Sequence, residues 1–204
     1  MRVLNLYSGL GGNRKLWGNE HDITAIENCP DIAESYSRIF PNDTVIVADA
    51  RPYLSDNYKQ FDFIWSSPPC QSHGQYRKNV GVEAKGYAAV FPDLSLYEQI
   101  IFLKHHFKGS WVVENVIPYY EPIIKPTVKI QRHLFWSNFN ISIVNFGAKG
   151  IRTKNKISDY DDLGIDLQHT NIKNKRQALR NCVDSDLGLH VFNSFLESRL
   201  FNEE

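Results

Sequence analysis

Cys70 is the residue with the most chemistry available to it. It sits in Ser66-Ser67-Pro68-Pro69-Cys70-Gln71, where two prolines stiffen the backbone just ahead of the thiol. A rigidly mounted sulfur suits nucleophilic attack. The ordinary fate of a free cysteine is burial as an inert apolar side chain, but the polar Gln71-Ser72-His73 that follows weighs against that here. Glu114 is the second such residue, following the apolar run of Trp111-Val112-Val113-Glu114-Asn115-Val116. A carboxyl there, kept protonated by partial burial, can donate to a heterocyclic nitrogen; the alternative is a solvated acid after a strand.

A ligand site is suggested nearer the start. Val3-Leu4-Asn5-Leu6-Tyr7 runs into Ser8-Gly9-Leu10-Gly11-Gly12, a turn that lets backbone amides approach a ligand closely. Glu27 ends a second apolar run and suits ribose hydroxyls, and Asp49 follows a third and suits an adenine amino group. The glycine spacing departs from the G-x-G-x-x-G dinucleotide fingerprint, and each feature alone also reads as a structural turn or a capping acid.

The elements that must position these groups alternate. Ile23–Glu27, Thr44–Val47, Phe61–Trp65 and Trp111–Val113 read as short buried strands, with helices over Asp31–Phe40 and Leu94–Phe107. Such alternation predicts a mostly parallel sheet with helices on both faces, a Rossmann-like α/β fold, with ligands beyond the carboxyl ends of the strands. Ser67 to Val90 is too long for an idle connection and reads as a mobile functional loop. Asp186 to Phe201 reads as a helix returning to the core. The expected organisation is a core over 1–144, a short recognition insert over 145–175 and a returning segment over 176–204.

Composition narrows the class. The 204 residues are 42% hydrophobic and 23% charged, with 23 Lys+Arg against 23 Asp+Glu, so neither disorder nor bulk electrostatic coating of nucleic acid is expected. Three scattered cysteines give neither a disulfide framework nor a zinc site. With no apolar run of membrane-spanning length and no signal-peptide pattern, the expected location is the cytoplasm, without membrane or metal. Charge is nevertheless uneven: Asn145 to Arg180 carries eight Lys/Arg against four Asp, a basic face suited to phosphates.

Taken in order, these motifs resemble the DNA cytosine-5 methyltransferase family. Leu6-Tyr7-Ser8-Gly9-Leu10-Gly11-Gly12 is similar to its first cofactor motif, Glu27 to its ribose acid, Asp49 to its adenine acid, and Pro68-Pro69-Cys70-Gln71 to its nucleophile motif. Glu114-Asn115-Val116 is similar to its acid motif, Gln131-Arg132-His133 stands in place of an arginine-bearing motif, and Arg180-Asn181-Cys182-Val183 resembles the final one.

The resemblance implies S-adenosyl-L-methionine as methyl donor and a cytosine flipped out of double-stranded DNA as acceptor, with DNA methylation and restriction-modification among the roles. It implies catalytic work for Cys70, Glu114, Asn115, Arg132 and His133. Cofactor contacts are expected from Tyr7, Ser8, Gly9, Gly11, Gly12, Glu27, Asn28, Asp49, Ala50, Pro68, Leu96 and Asn181. DNA contacts are expected from Gln71, Ser72, His73, Arg77 and Lys78, and from Lys149, Arg152 and Lys154 in the insert. Two departures stand out: His133 falls where an arginine is expected, and the recognition insert is short. An RNA (tRNA) cytosine-5 methyltransferase and a non-catalytic regulatory module are the competing readings.

Overall fold

The structure is a computed structural model that describes residues 1–146, 164–168 and 170–200. Seven strands form one sheet: β1 Arg2–Leu6, β2 Asp22–Glu27, β3 Thr44–Val47, β4 Phe63–Ser66, β5 Ser110–Val116, β6 Val128–Ile130 and β7 His133–Ser137. Their order is β3-β2-β1-β4-β5-β7-β6. The pairs among β1 to β5 are parallel, and β7 runs antiparallel to both β5 and β6. The α/β architecture expected from the alternation is therefore present, with the order reversing at β1 and β4.

Side-chain alternation along the strands builds two cores. On one face Val3, Phe63, Trp65, Val112 and Phe135 pack with Trp17 and with Leu187, Val191, Phe192 and Phe195 of α5, Ser185–Leu200. Phe63 and Phe195 stack with ring centroids 4.2 Å apart, and Trp17 stacks on Phe192 at 4.7 Å. On the other face Leu4, Leu6, Ile26, Ile64, Val113 and Trp136 meet Leu96, Ile100 and Leu103 of α3, Ser95–His106. The returning helix expected at the end of the chain is α5.

Local chemistry sets the helix ends. α1, Pro30–Ile39, starts with proline at its first position, carries Asp31 in its first turn and Arg38 in its last, and stops before Pro41. α2, Ala50–Asn57, is capped by Asp49, whose Oδ1 accepts from the Arg51 amide at 2.9 Å. α4, Lys175–Arg180, is capped by Asn174 through the Gln177 amide.

Ser67 to Val90 is more structured than the loop expected there. It holds a tight turn at Cys70–Gly74 and a π-helical stretch, Arg77–Ala84, closed by Tyr87 donating its amide to the Gly81 carbonyl at 2.9 Å. Within the expected insert, residues 147–163 and 169 lie outside the described residues. Among the described residues no helix is long and apolar enough to cross a membrane.

Candidate active site

Parallel strands deliver their carboxyl ends to one edge of the sheet, and there the chain turns into Tyr7-Ser8 after β1, Asn28 after β2, Asp49 after β3 and Pro68–Cys70 after β4. Glu27 ends β2 and Glu114 lies near the end of β5 at that same edge. Because β7 is antiparallel, its first residue, His133, also reaches that edge.

The glycine turn is shaped by close approaches. Gly11 has φ +74, and a Cβ there would lie 2.3 Å from the Phe40 ring; a Cβ on Gly12 would lie 2.5 Å from the Val183 carbonyl oxygen. Beneath the turn, Arg14 and Asp43 form a buried bidentate ion pair at 2.9 and 3.0 Å, and Tyr36 Oη donates to Asp43 at 2.8 Å. Glu27, also buried, accepts from the Gly9 amide through Oε2 at 3.1 Å and from the Cys29 amide through Oε1 at 2.9 Å. Its carboxylate is fixed in orientation and keeps lone pairs for further donors.

A cleft of about 260 Å³ opens beside this turn, lined by Tyr7, Ile26, Glu27, Asn28, Ala48, Asp49, Ala50, Arg51, Pro69, Asp93 and Ser95. Burial pushes the Tyr7 phenol up to about 12, with Gln99 donating to its oxygen at 2.9 Å. Gln99 also accepts from Ser66 at 2.7 Å, so a buried polar chain links the ends of β1 and β4. Tyr7, Glu27, Asn28, Asp49 and Ala50, five of the residues expected to contact a cofactor, line this cleft together. Leu96 does not: it is 3% exposed in the α3 core, because the helix turns it inward, and Asp93 and Ser95 line the cleft instead. Pro68 is buried with its carbonyl accepting from Asn115 Nδ2 at 3.0 Å, and Pro69 faces the cleft. Asn181 is an exposed cap of α4 outside the cleft, while Cys182 and Val183 after it pack against Gly12.

Cys70 is half-buried. Burial pushes its thiol above the ordinary range and the Glu114 carboxylate pushes it further, while Arg132 and Arg180 pull it back. Glu114 and His133 are buried together, with His133 Nδ1 2.5 Å from Glu114 Oε1. Arg132 donates through Nε to His133 Nε2 at 3.3 Å, which makes that nitrogen the acceptor and leaves the proton on Nδ1 facing Glu114. Asn115 holds the Pro68 carbonyl and accepts from the Val116 amide, tying β5 to the turn that carries Cys70.

The residues expected to meet DNA divide. Gln71 is exposed and Ser72 half-buried; Lys78 is exposed and pairs with Glu83 at 3.8 Å. Arg77 donates to the Ala88 carbonyl at 3.1 Å, just beyond its own π-helical segment. His73 corrects the expectation: it is 1% exposed and turned onto Tyr120, so no duplex reaches it in this conformation. Lys149, Arg152 and Lys154 lie outside the described residues. Arg180 was not anticipated at the site. It faces the Tyr76 ring at 5.3 Å and pulls the Cys70 thiol down; the signals for it in the sequence were its place at the start of the Arg180-Asn181-Cys182-Val183 motif and in the basic stretch that ends there.

The fold is α/β, and this edge of its sheet sets a cleft lined by Glu27 and Asp49 beside the half-buried Cys70 thiol and the buried Glu114–His133 pair. Over residues 1–116, more than half its length, the chain matches the C-5 cytosine-specific DNA methylase family and belongs to it.

Solved structures similar to the chain include a prophage-encoded E. coli protein described as a DNA modification methyltransferase, with 20% identity, TM-score 0.39, and 59% of this chain and 33% of that one covered. A SAM-dependent methyltransferase from Agrobacterium tumefaciens has 13% identity and TM-score 0.43, covering 59% and 40%. A Spodoptera frugiperda DNMT2 mutant has 21% identity and TM-score 0.39, covering 56% and 35%. The matched part spans between a third and two fifths of these three chains. No curated protein matches the chain in sequence.

The cofactor of the family is S-adenosyl-L-methionine. The residues present fit it: Glu27 and Asp49 bring carboxylate oxygens to the cleft, the type of acceptor that ribose hydroxyls and an adenine amino group need, and the buried Ser8 hydroxyl has no hydrogen-bond partner among the described residues.

Proposed function

We propose that the chain transfers the methyl group of S-adenosyl-L-methionine to C5 of a cytosine in double-stranded DNA through a covalent bond to Cys70. The observation that carries this reading is the convergence of Cys70, the braced Glu114 and the cofactor cleft on one edge of the sheet.

Glu27, Asp49 and Ser8 would hold the nucleoside half of the cofactor. When bound, the cofactor supplies an electrophilic methyl group on sulfonium sulfur. Cytosine C5 is a poor nucleophile until a thiolate adds to C6, which places electron density on C5. Cys70 forms that bond, while protonated Glu114 donates to N3 so that charge does not build on the ring. After methyl transfer, the C5 proton leaves to water, the bond from Cys70 to C6 breaks, and N3 returns its proton to Glu114.

The two groups help each other electrostatically. A protonated Glu114 no longer raises the thiol, so placing the proton where N3 needs it also frees the Cys70 thiolate. His133 holds the carboxyl in line, a task that falls to it because β7 begins with histidine at this position. The cytosine has to be extruded from the stack to reach these groups, which costs a few kcal/mol. Gln71 and Lys78 on the exposed side of the nucleophile segment suit contact with the opened duplex.

Transfer of a tritiated methyl group to double-stranded DNA, tRNA and no acceptor tests the reading. Label entering duplex DNA as 5-methylcytosine, and lost in Cys70→Ser, is the expected result. Label entering tRNA alone moves the substrate to RNA, and label in neither contradicts the reading.

A further inference from the structure

His73 is almost completely buried three residues after Cys70, yet nothing in methyl transfer requires a histidine there. Its backbone is bonded at both ends. The His73 and Gly74 amides both donate to the Cys70 carbonyl at 3.1 Å, closing the nucleophile turn, and the His73 carbonyl accepts from the Tyr119 amide at 3.0 Å. Gly74 forms an isolated bridge with Pro118, so the turn is stitched to the segment that leaves β5.

The side chain adds a second attachment. His73 Nδ1 lies 2.5 Å from Tyr120 Oη, Tyr97 Oη donates to Tyr120 Oη at 3.5 Å, and Tyr97 Oη accepts from the Ile123 amide at 3.2 Å. The tautomer of His73 sets the last link of this chain, and its Nε2 is buried without a hydrogen-bond partner among the described residues. The Ile123 amide donates to Tyr97, Tyr97 donates to Tyr120, and Tyr120 is left to donate to Nδ1 of a neutral His73. Beside it, Ser72 Oγ accepts from the Asp93 amide at 3.0 Å, joining the turn to the rim of the cofactor cleft.

We infer that His73 and Tyr120 form a latch that fixes the Cys70 turn, and that His73 is a positioning residue which works only as an uncharged hydrogen-bond acceptor. A second N–H on the ring would face a phenol already committed as donor. The groups around the ring are Asp93 ahead of α3, Tyr97 on α3, and Tyr119 and Tyr120 after β5. Burial holds the imidazole below its ordinary range against the opposing pull of Asp93, in keeping with the uncharged form.

The inference rests on Cys70 being the working thiol, but its test needs neither DNA nor cofactor. Alkylation of Cys70 by iodoacetamide in the full chain, resolved by peptide mass spectrometry with Cys29 as internal reference, reads how firmly the turn is held. Loss of one buried hydrogen bond in His73→Leu or Tyr120→Phe is expected to speed Cys70 alkylation about fivefold with Cys29 unchanged. His73→Asn, whose Oδ1 can stand where Nδ1 stood, is expected to stay near the wild-type rate.

Below about pH 6.5, the ordinary imidazole value beneath which burial holds this ring, the wild-type rate divided by that of His73→Asn should rise as the ring takes up its proton. Wild-type rates in both His73→Leu and Tyr120→Phe, equal acceleration of Cys29, a His73→Asn rate matching His73→Leu, or a flat ratio would each overturn the latch. Failure of methyl transfer by the wild-type chain would instead sink the proposed function and leave these rates to stand or fall separately.

Discussion

His133 Nδ1 lies 2.5 Å from Glu114 Oε1 because of strand register. Val116 is the direct partner of His133 across the β5–β7 ladder, and Glu114, two residues earlier, shares the face of Val116. The acid and its brace are therefore diagonal neighbours, and a slip of one residue would send the imidazole to the opposite face.

Removing the brace should slow catalysis without disturbing cofactor binding. A hydrogen bond to a charged group contributes about 1.5–3 kcal/mol, so His133→Ala should lower kcat roughly 10- to 100-fold with KM for S-adenosylmethionine unchanged. His133→Asn keeps a donor near the Nδ1 position and should recover part of the loss. Steady-state kinetics of the two variants checks this, and a selective rise in KM would argue for a cofactor role.

Reactivity of Cys70 should rise with pH. Its thiol is held above the ordinary range, so the thiolate grows in only as pH climbs through that raised value. The neighbours give the signs: Glu114→Gln removes a negative charge and should move the titration to lower pH, while Arg132→Gln removes a positive one and should move it higher. Iodoacetamide alkylation rates across the pH range read all three curves.

The sequence discloses most of the carboxyl edge and less of what surrounds it. Strand runs ending in Tyr7, Glu27 and Cys70 are legible because buried parallel strands are short, apolar and followed by turns. The brace between Glu114 and His133 is not legible in the strand pattern, since it depends on the antiparallel register of β7; only the resemblance, in which His133 replaces an arginine that contacts the cytosine O2 or braces the acid, pointed to it. His73 looks polar and loop-borne in sequence; only the fold reveals the phenol that lets it be buried. Leu96 fails for the opposite reason, as helix phase turns it into the core and leaves Ser95 at the cleft.

Stability should depend strongly on the ion pair under the glycine turn. Arg14 and Asp43 are both 2% exposed at the side chain, and Asp43 also accepts from Tyr36. Asp43→Ala leaves a buried guanidinium unpaired and should cost about 3–5 kcal/mol, readable by urea unfolding. A loss below about 1 kcal/mol would mean that solvent reaches Arg14.

Cofactor affinity should depend on Glu27. Glu27→Ala removes the acceptor facing the cleft and also frees the Gly9 and Cys29 amides, so calorimetric affinity for S-adenosylmethionine should fall at least about tenfold. Glu27→Gln keeps one acceptor oxygen and should lie between the two. Equal affinity in all three would remove Glu27 from the cofactor site.

The central claim is a bond between Cys70 sulfur and C6 of a pyrimidine, and duplex DNA carrying 5-fluorocytosine tests it most directly. Fluorine at C5 cannot leave as the proton does, so with S-adenosylmethionine present the wild-type chain should become trapped on the DNA. Intact-mass spectrometry should then show one covalent adduct that maps to the peptide containing Cys70 and is missing in Cys70→Ser. An adduct at another residue, or methylated product formed by Cys70→Ser at the wild-type rate, would contradict the account.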